Sequence, residues 1–278
     1  MSEPSIITPA SLRARPLPGR EGDKHARGTV VAIGGAAATV GAVILTGLAA
    51  LRSGAGVLQV ACDPAAAITV AVALPEARVV GWNTADLGDL VADADAVVIG
   101  PGLDDIDHTA KLLETVANRA SSTDVVADAY ALGALSRQPE LLHQRDRPPV
   151  LTPSTNEARI LLGDQDGDID ELSDAADNIA RRYQSVVALR GHISAPSGEA
   201  WREEGGDVGL GTAGSGDVVA GLIAGLLAHG AAPLQAACWA AHVHAVAGQR
   251  LAARLGRTGF LARELLDETA QAIAALNT

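Results

Sequence analysis

From residue 28 onward, short uniform runs of β-branched and aliphatic residues alternate with longer segments of helical spacing. The uniform runs at 28–33, 57–61, 96–99, 124–127, 150–151 and 185–189 predict strands buried on both faces. The intervening segments 41–52, 64–74, 105–119 and 169–181 predict helices, as do the Ala-rich stretches 216–228, 233–255 and 261–276. Residues 194–202 predict a hairpin around Pro196-Ser197-Gly198. Alternation of this kind predicts an α/β fold, with a mostly parallel central sheet flanked by helices on both faces. No Pro/Ser-rich linker or internal repeat interrupts it, so one domain is expected. Ligands of such sheets sit where the strands end. Four strands run into loops rich in Gly, Pro or Asp: Gly34-Gly35, Gly100-Pro101-Gly102, Asp128, and the segment from Thr152 to Glu157.

Composition narrows the function. Apolar residues make up 48% of the 278 and aromatics only 2%, so the core is built from small aliphatic side chains. Few aromatic platforms for bases and a net charge of −12 argue against nucleic acid and anionic lipid as partners. Any phosphate must be held locally, by backbone N–H groups and a few cations. Cys62 and Cys238 lie too far apart for a metal or redox motif, and without a disulfide framework a reducing cytoplasm is the expected compartment. The polar first 27 residues lack the apolar stretch of a signal peptide, and no apolar run is long enough for a membrane span.

Five segments could carry chemistry. Gly211-Thr212-Ala213-Gly214-Ser215-Gly216-Asp217 runs directly into a helix, whose first N–H groups and positive dipole end suit a phosphate. Asp217 would be repelled by that anion unless it served as a base or held a metal; otherwise it only stabilises the helix start. The segment 34–41 is neither a dinucleotide fingerprint nor a P-loop, and reads alone as a tight strand-to-helix turn. Gly100-Pro101-Gly102 reads alone as a turn. In Thr152-Pro153-Ser154-Thr155-Asn156-Glu157, Ser154 or Thr155 could cap a helix with Glu157 in its first turn, or Glu157 could order a Mg²⁺-bound water. Arg190, at a strand end and followed by Gly191, could meet a nucleotide phosphate or be a surface charge. His242 and His244 are two residues apart on a helix and point in different directions, which suits core or interface residues better than a metal pair. No Ser-His-Asp elbow, H-E-x-x-H motif or Cys cluster supports a hydrolase or a zinc site.

Taken in order, the loops resemble one family. Gly34-Gly35 through Gly41-Ala42, Arg52-Ser53-Gly54-Ala55-Gly56, Gly100-Pro101-Gly102-Leu103, Asp128-Ala129, Leu151-Thr152-Pro153 with Glu157, Leu189-Arg190-Gly191, and Gly211 through Gly221 are similar to the motifs of the ADP/ATP-dependent NAD(P)H-hydrate dehydratases. That family belongs to the ribokinase-like superfamily. The resemblance runs from about Lys24 to about Leu276, leaving residues 1–23 as an N-terminal extension to a ribokinase-like domain over 24–278.

The resemblance implies repair of hydrated NADH and NADPH, with ADP or ATP as phosphoryl donor and Mg²⁺ as cofactor. It implies that Asp217 is the base near the substrate hydroxyl. Gly214, Ser215 and Gly216 would form the anion hole, and Ala42 and Gly102 would line the substrate site. Arg190, Gly191, His192, Ile193 and Ser194 would touch the AMP portion. A homo-oligomer, a tetramer by family habit, is implied too. The chain departs from the family on the substrate side. Ser154 stands where the family places a substrate-contacting His, Arg190 replaces a Lys, Ile193-Ser194 replaces a Gly-Thr pair, and Tyr130 replaces the second Asp of Asp-Ala-Asp. These departures keep two alternatives in view: a related vitamin-precursor kinase, and a non-catalytic nucleotide-binding protein.

Overall fold

The computed structural model describes residues 3–19, 22–119, 122–164 and 169–277. Residues 1, 2, 20 and 21 of the expected N-terminal extension lie outside the described residues.

Among the described residues, ten strands form one sheet. In chain order they are β1 (Ser5–Ile6), β2 (Thr29–Ile33), β3 (Val57–Cys62), β4 (Ala77–Gly81), β5 (Ala96–Ile99), β6 (Asp124–Ala127), β7 (Val150–Leu151), β8 (Val186–Leu189), β9 (His192–Ser194) and β10 (Ala200–Arg202). Their spatial order is β1-β10-β9-β8-β7-β6-β5-β2-β3-β4. Every neighbouring pair is parallel except the two made by β9, which runs against both β8 and β10. The central strands β5, β6 and β7 are buried along their whole length. That burial on both faces is why they are written as continuous Val, Ile, Leu and Ala runs.

Helices cover both faces. On one side lie α2 (Val40–Arg52), α9 (Ser215–Ala228), α10 (Pro233–Leu255) and α11 (Ala262–Leu276), joined by α1 (Pro9–Arg13) and α3 (Ala67–Ala73) at its margins. On the other lie α4 (Leu87–Ala92), α5 (Ile106–Arg119), α6 (Tyr130–Arg137), α7 (Thr155–Leu162) and α8 (Leu172–Tyr183). Each side has its own core against the sheet. Helices α2 and α9 pack most closely of all: a Cβ on Gly221 would overlap the Thr46 carbonyl oxygen, and one on Gly225 would overlap Ser53 Oγ. Glycine on α9 is therefore a packing requirement, since it lets two backbones approach within the reach of a methyl group.

The predicted strands and major helices stand within a few residues of their expected bounds. Three things differ. The N-terminal segment is built into the fold rather than appended to it. Strand β1 extends the sheet beside β10, Ile7 and Leu12 are buried, and the carbonyl of Arg15 accepts hydrogen bonds from Gln235 Nε2 (2.8 Å) and Trp239 Nε1 (3.2 Å). Its polarity hid this, because edge strands and one-sided helices need few apolar residues. Strand β4 is a sheet edge that is only partly buried, so it lacks the fully apolar run of its neighbours. Helices α4 and α6, of 6 and 8 residues, are too short to show a helical period.

Candidate active site

The chain adds β3 and β4 on one side of β2 and then returns to place β5 on the other. The loops after β2 and β5 therefore leave the sheet at a topological switch point, at the carboxyl ends of these strands, where ligands of such sheets bind. Hydrogen bonds tie the two loops together. Gly35 N–H donates to the Pro101 carbonyl at 2.9 Å, Ala36 N–H to the Gly102 carbonyl at 2.7 Å, and Thr39 Oγ1 to the same Gly102 carbonyl at 2.6 Å. Gly102 has φ +70, and a Cβ there would overlap the Thr39 carbonyl and lie 3.2 Å from Ala42 Cβ. Only glycine satisfies both demands. The two residues expected to line the substrate site, Ala42 and Gly102, thus stand side by side.

The start of α9 lies against α2, whose first turn follows the loop after β2. Gly214 is the helix N-cap, with φ +89, and among the described residues no side chain caps the helix. The Ser215 N–H is used by the Thr212 carbonyl at 3.2 Å, so among the described residues the main-chain donors left without a backbone partner are those of Gly214, Gly216 and Asp217. Gly216 is exposed and a Cβ there would meet nothing. The Asp217 carbonyl accepts from Thr46 Oγ1 at 3.2 Å, and the same hydroxyl donates to Ala42 O at 3.0 Å. One threonine of α2 therefore ties the first turn of α9 to the turn that carries Ala42. Burial pushes the half-buried Asp217 carboxyl up to about 6, and the negative charge of Glu157 pushes the same way.

A second carboxylate lies behind it. Asp128, at the end of β6, is 6% exposed, and Thr152 Oγ1 donates to its Oδ1 at 2.8 Å. Burial first, then the charges of Asp217 and Glu157, raise its pKa to about 7 against the hydrogen bonds from Thr152 and Ala129. Asp128 appeared in the sequence only as part of a strand-end motif; its burial, which no periodicity reveals, makes it part of the site. The residue after it, Ala129, sits at φ 49 and ψ −123, a strained conformation for a residue with a side chain. It turns the chain from β6 into α6, whose first residue is the exposed Tyr130.

Ser154 and Glu157 form a reciprocal cap on α7: Glu157 N–H donates to Ser154 Oγ at 3.3 Å, and Ser154 N–H donates to Glu157 Oε2 at 2.7 Å. The capping reading is therefore realised. It leaves Glu157 close enough to bear on both Asp128 and Asp217, with one carboxylate oxygen outside the cap.

The segment expected at the AMP portion divides in two. Arg190 (φ 48), which is exposed, and Gly191 (φ +86) form the turn between β8 and β9, and the Gly191 carbonyl accepts from the Glu203 N–H at 2.8 Å. The Glu203 carboxylate in turn holds His242 Nδ1 at 2.7 Å, so His242 fastens the Arg190 turn to α10. His192 is half-buried, and its Nδ1 has no partner among the described residues. Ile193 and Ser194 are 1% and 2% exposed within β9, so their side chains belong to the core. The other histidine of α10 also has a partner that sequence spacing did not show. His244 Nε2 lies 2.8 Å from Ser215 Oγ in the first turn of α9.

The switch-point loops, the glycine helix start and the buried carboxylates can be set beside known proteins. A family model for NAD(P)H-hydrate dehydratase matches residues 30–271. The chain belongs to the NAD(P)H-hydrate dehydratase family. It is 44% identical over 276 residues to an ADP-dependent (S)-NAD(P)H-hydrate dehydratase of Xanthomonas campestris pv. campestris, covering 94% of this chain and 93% of that protein. A solved Bacillus subtilis ADP/ATP-dependent NAD(P)H-hydrate dehydratase, co-crystallised with ATP and Mg²⁺, superposes with a TM-score of 0.85 at 26% identity, over 99% of this chain and 100% of that one. A ribokinase-like superfamily protein of Enterococcus faecalis superposes at 0.84 with 25% identity, over 98% and 96% of the two chains. The fold is thus ribokinase-like. The family also includes bifunctional repair enzymes such as that of Escherichia coli, of whose length this chain spans 48%. Among the described residues, no helix is long and apolar enough to cross a membrane.

Proposed function

We propose that this chain restores hydrated NADH and NADPH by phosphorylating the added hydroxyl, with ADP or ATP as donor, and eliminating phosphate. The observation that carries the reading is Asp217. It stands in the first turn of a helix whose N-cap, Gly214, brings no side chain to the helix start, is linked through Thr46 to the turn carrying Ala42 beside Gly102, and has its carboxyl raised to about 6.

The chemistry follows from that placement. Gly216 and Asp217 N–H groups hold the transferring phosphoryl group in a fixed position, and positioning with charge stabilisation is most of what this transfer needs. The substrate hydroxyl oxygen attacks phosphorus, the donor's phosphoanhydride bond breaks, and Asp217 takes the hydroxyl proton. The ring C–O bond then breaks with inorganic phosphate as the leaving group. Loss of a proton from the adjacent ring carbon restores the double bond. A base with a pKa near 6 is largely ionised at neutral pH yet basic enough to assist transfer.

The donor set suits Mg²⁺. Asp128, Glu157 and Asp217 supply hard oxygen atoms that act on one another electrostatically, and among the described residues they do not close into a protein cage. Mg²⁺ keeps several waters and takes few protein ligands beside phosphate oxygens. Glu157 would hold it through water, and the bound ion would neutralise charge on the phosphate oxygens. Arg190 and Gly191 provide the exposed turn for the nucleotide, with His192, Ile193 and Ser194 contributing position through β9. Ser154 takes the place of the family's substrate-contacting His as a cap.

A cytoplasmic homo-oligomer fits the same reading. Ile68 and Val72, one turn apart on α3, are 81% and 78% exposed and offer an apolar face for a second copy. The net charge of −12 disfavours nucleic acid as a partner. The test is turnover of hydrated NADH and hydrated NADPH with ADP and ATP compared side by side, read as recovered dihydronicotinamide absorbance. Recovery with neither nucleotide would overturn the reading.

A further inference from the structure

The first turn of α9 makes one side-chain contact that the reaction above does not use. Ser215 is 5% exposed, and its Oγ lies 2.8 Å from His244 Nε2. Its own N–H is already committed to Thr212. If Ser215 contributes to the anion hole, it does so through its hydroxyl.

A hydroxyl has one proton and two acceptor lone pairs. If His244 Nε2 were bare, the Ser215 proton would be consumed by the imidazole, and only lone pairs would face the helix start. Lone pairs repel a phosphoryl oxygen. If Nε2 carries its hydrogen, Ser215 Oγ accepts it and the serine proton is free to point outward. His244 reaches this position from α10, flanked by the buried Val243 and Ala245. Burial pushes its pKa down to about 4, so at neutral pH the ring holds one N–H and adds no charge.

We propose that His244 donates its Nε2–H to Ser215 Oγ and thereby directs the Ser215 hydroxyl proton at the transferring phosphoryl group. His244 is then a positioning residue, acting through Ser215, and the inference rests on the dehydratase reading of the α9 start. Its effect falls on the transition state, where charge builds on the phosphoryl oxygens. It should appear in kcat and leave KM for ADP nearly unchanged.

The test compares His244→Gln, whose amide NH₂ can stand near the Nε2 position, with His244→Met, which fills the space without a donor. The expected result is that Met lowers kcat by about tenfold to a hundredfold, below the ~10²–10³ of an oxyanion donor lost outright. Gln restores most of it. Ser215→Ala should cost a similar factor, and the double variant Ser215→Ala with His244→Met should cost no more than Ser215→Ala alone. Wild-type kcat in His244→Met, equal loss in Gln and Met, or multiplicative costs would each overturn the proposal. A second readout needs no turnover. In protein labelled with ¹⁵N-histidine, the His244 ring pattern, assigned by its disappearance in His244→Gln, should show hydrogen on Nε2. Hydrogen on Nδ1 overturns the proposal. A wild-type chain that turns over no hydrated cofactor overturns the dehydratase reading, and the ring pattern still decides the hydrogen-bond direction.

Discussion

Replacing Asp128 with Asn should make the ligand-free protein more stable above neutral pH and leave it nearly unchanged in acid. Asp128 is 6% exposed and its pKa rises from 3.8 to about 7, mainly through burial and then through Asp217 and Glu157. A carboxyl raised in the folded state binds its proton more tightly there than in the unfolded chain. Its stabilising contribution is therefore complete below 3.8 and is lost as pH rises through about 7. Above that, the fold carries an ionised, buried carboxylate at a cost of up to ~4 kcal/mol, taking ~1.4 kcal/mol per pH unit. Asn has the same shape, no charge, and an Oδ1 that can still accept the Thr152 hydroxyl. Urea unfolding in the presence of chelator should show the variant ~2–4 kcal/mol more stable near pH 8 and about equal near pH 4. Equal stability near pH 8, or a gain that does not vary with pH, would refute the account of Asp128 as a strained buried anion. Such strain at a site is the usual exchange of stability for function.

Other expectations follow from the same geometry. Asp217→Asn should lower kcat by ~10²–10⁴ while ADP still raises the melting temperature as it does for the wild type, because the change removes a base and leaves the N–H donors. In the wild type, kcat/KM should fall as pH drops through about 6, tenfold per pH unit below it, as Asp217 is protonated; the limb should vanish in Asp217→Asn. Gly225→Ala should destabilise by ~1–3 kcal/mol in denaturant melts despite alanine's better helix propensity, because its Cβ overlaps Ser53 Oγ and the Ala50 carbonyl. Gly216→Ala, where the space is open, should cost less than ~1 kcal/mol in the same melts. Ala129→Gly should raise stability by ~1 kcal/mol by releasing the backbone at φ 49, and a loss would mean the turn is not strained.

Much of the candidate site's local geometry was legible because its parts are local. The Gly214–Asp217 helix start, the Gly100–Gly102 turn and the Ser154–Glu157 cap are each set by adjacent residues, so their residue types announce them. Asp128 and His244 were not legible as site residues. Asp128 matters because three layers bury it beside carboxylates from α7 and α9, 29 and 89 positions further along the chain. His244 matters because α10 packs against α9 in one rotational setting that brings Nε2 to Ser215. The N-terminal strand was missed for a related reason. Its partner, β10, lies almost 200 residues away, and an exposed edge strand carries no apolar signature.

What the sequence determines by itself is the alternation of buried strands and covering helices, and the loops whose Gly, Pro and Asp content marks the strand ends. Those depend on local sterics and on which faces must leave water. The tertiary structure decides which of these loops meet, how far each carboxyl departs from its ordinary pKa, and which hydroxyl and imidazole share a proton. Those depend on distance and burial between residues far apart in the chain. Residue pattern carries neither quantity; the packing of α2, α7, α9 and α10 around the sheet sets them.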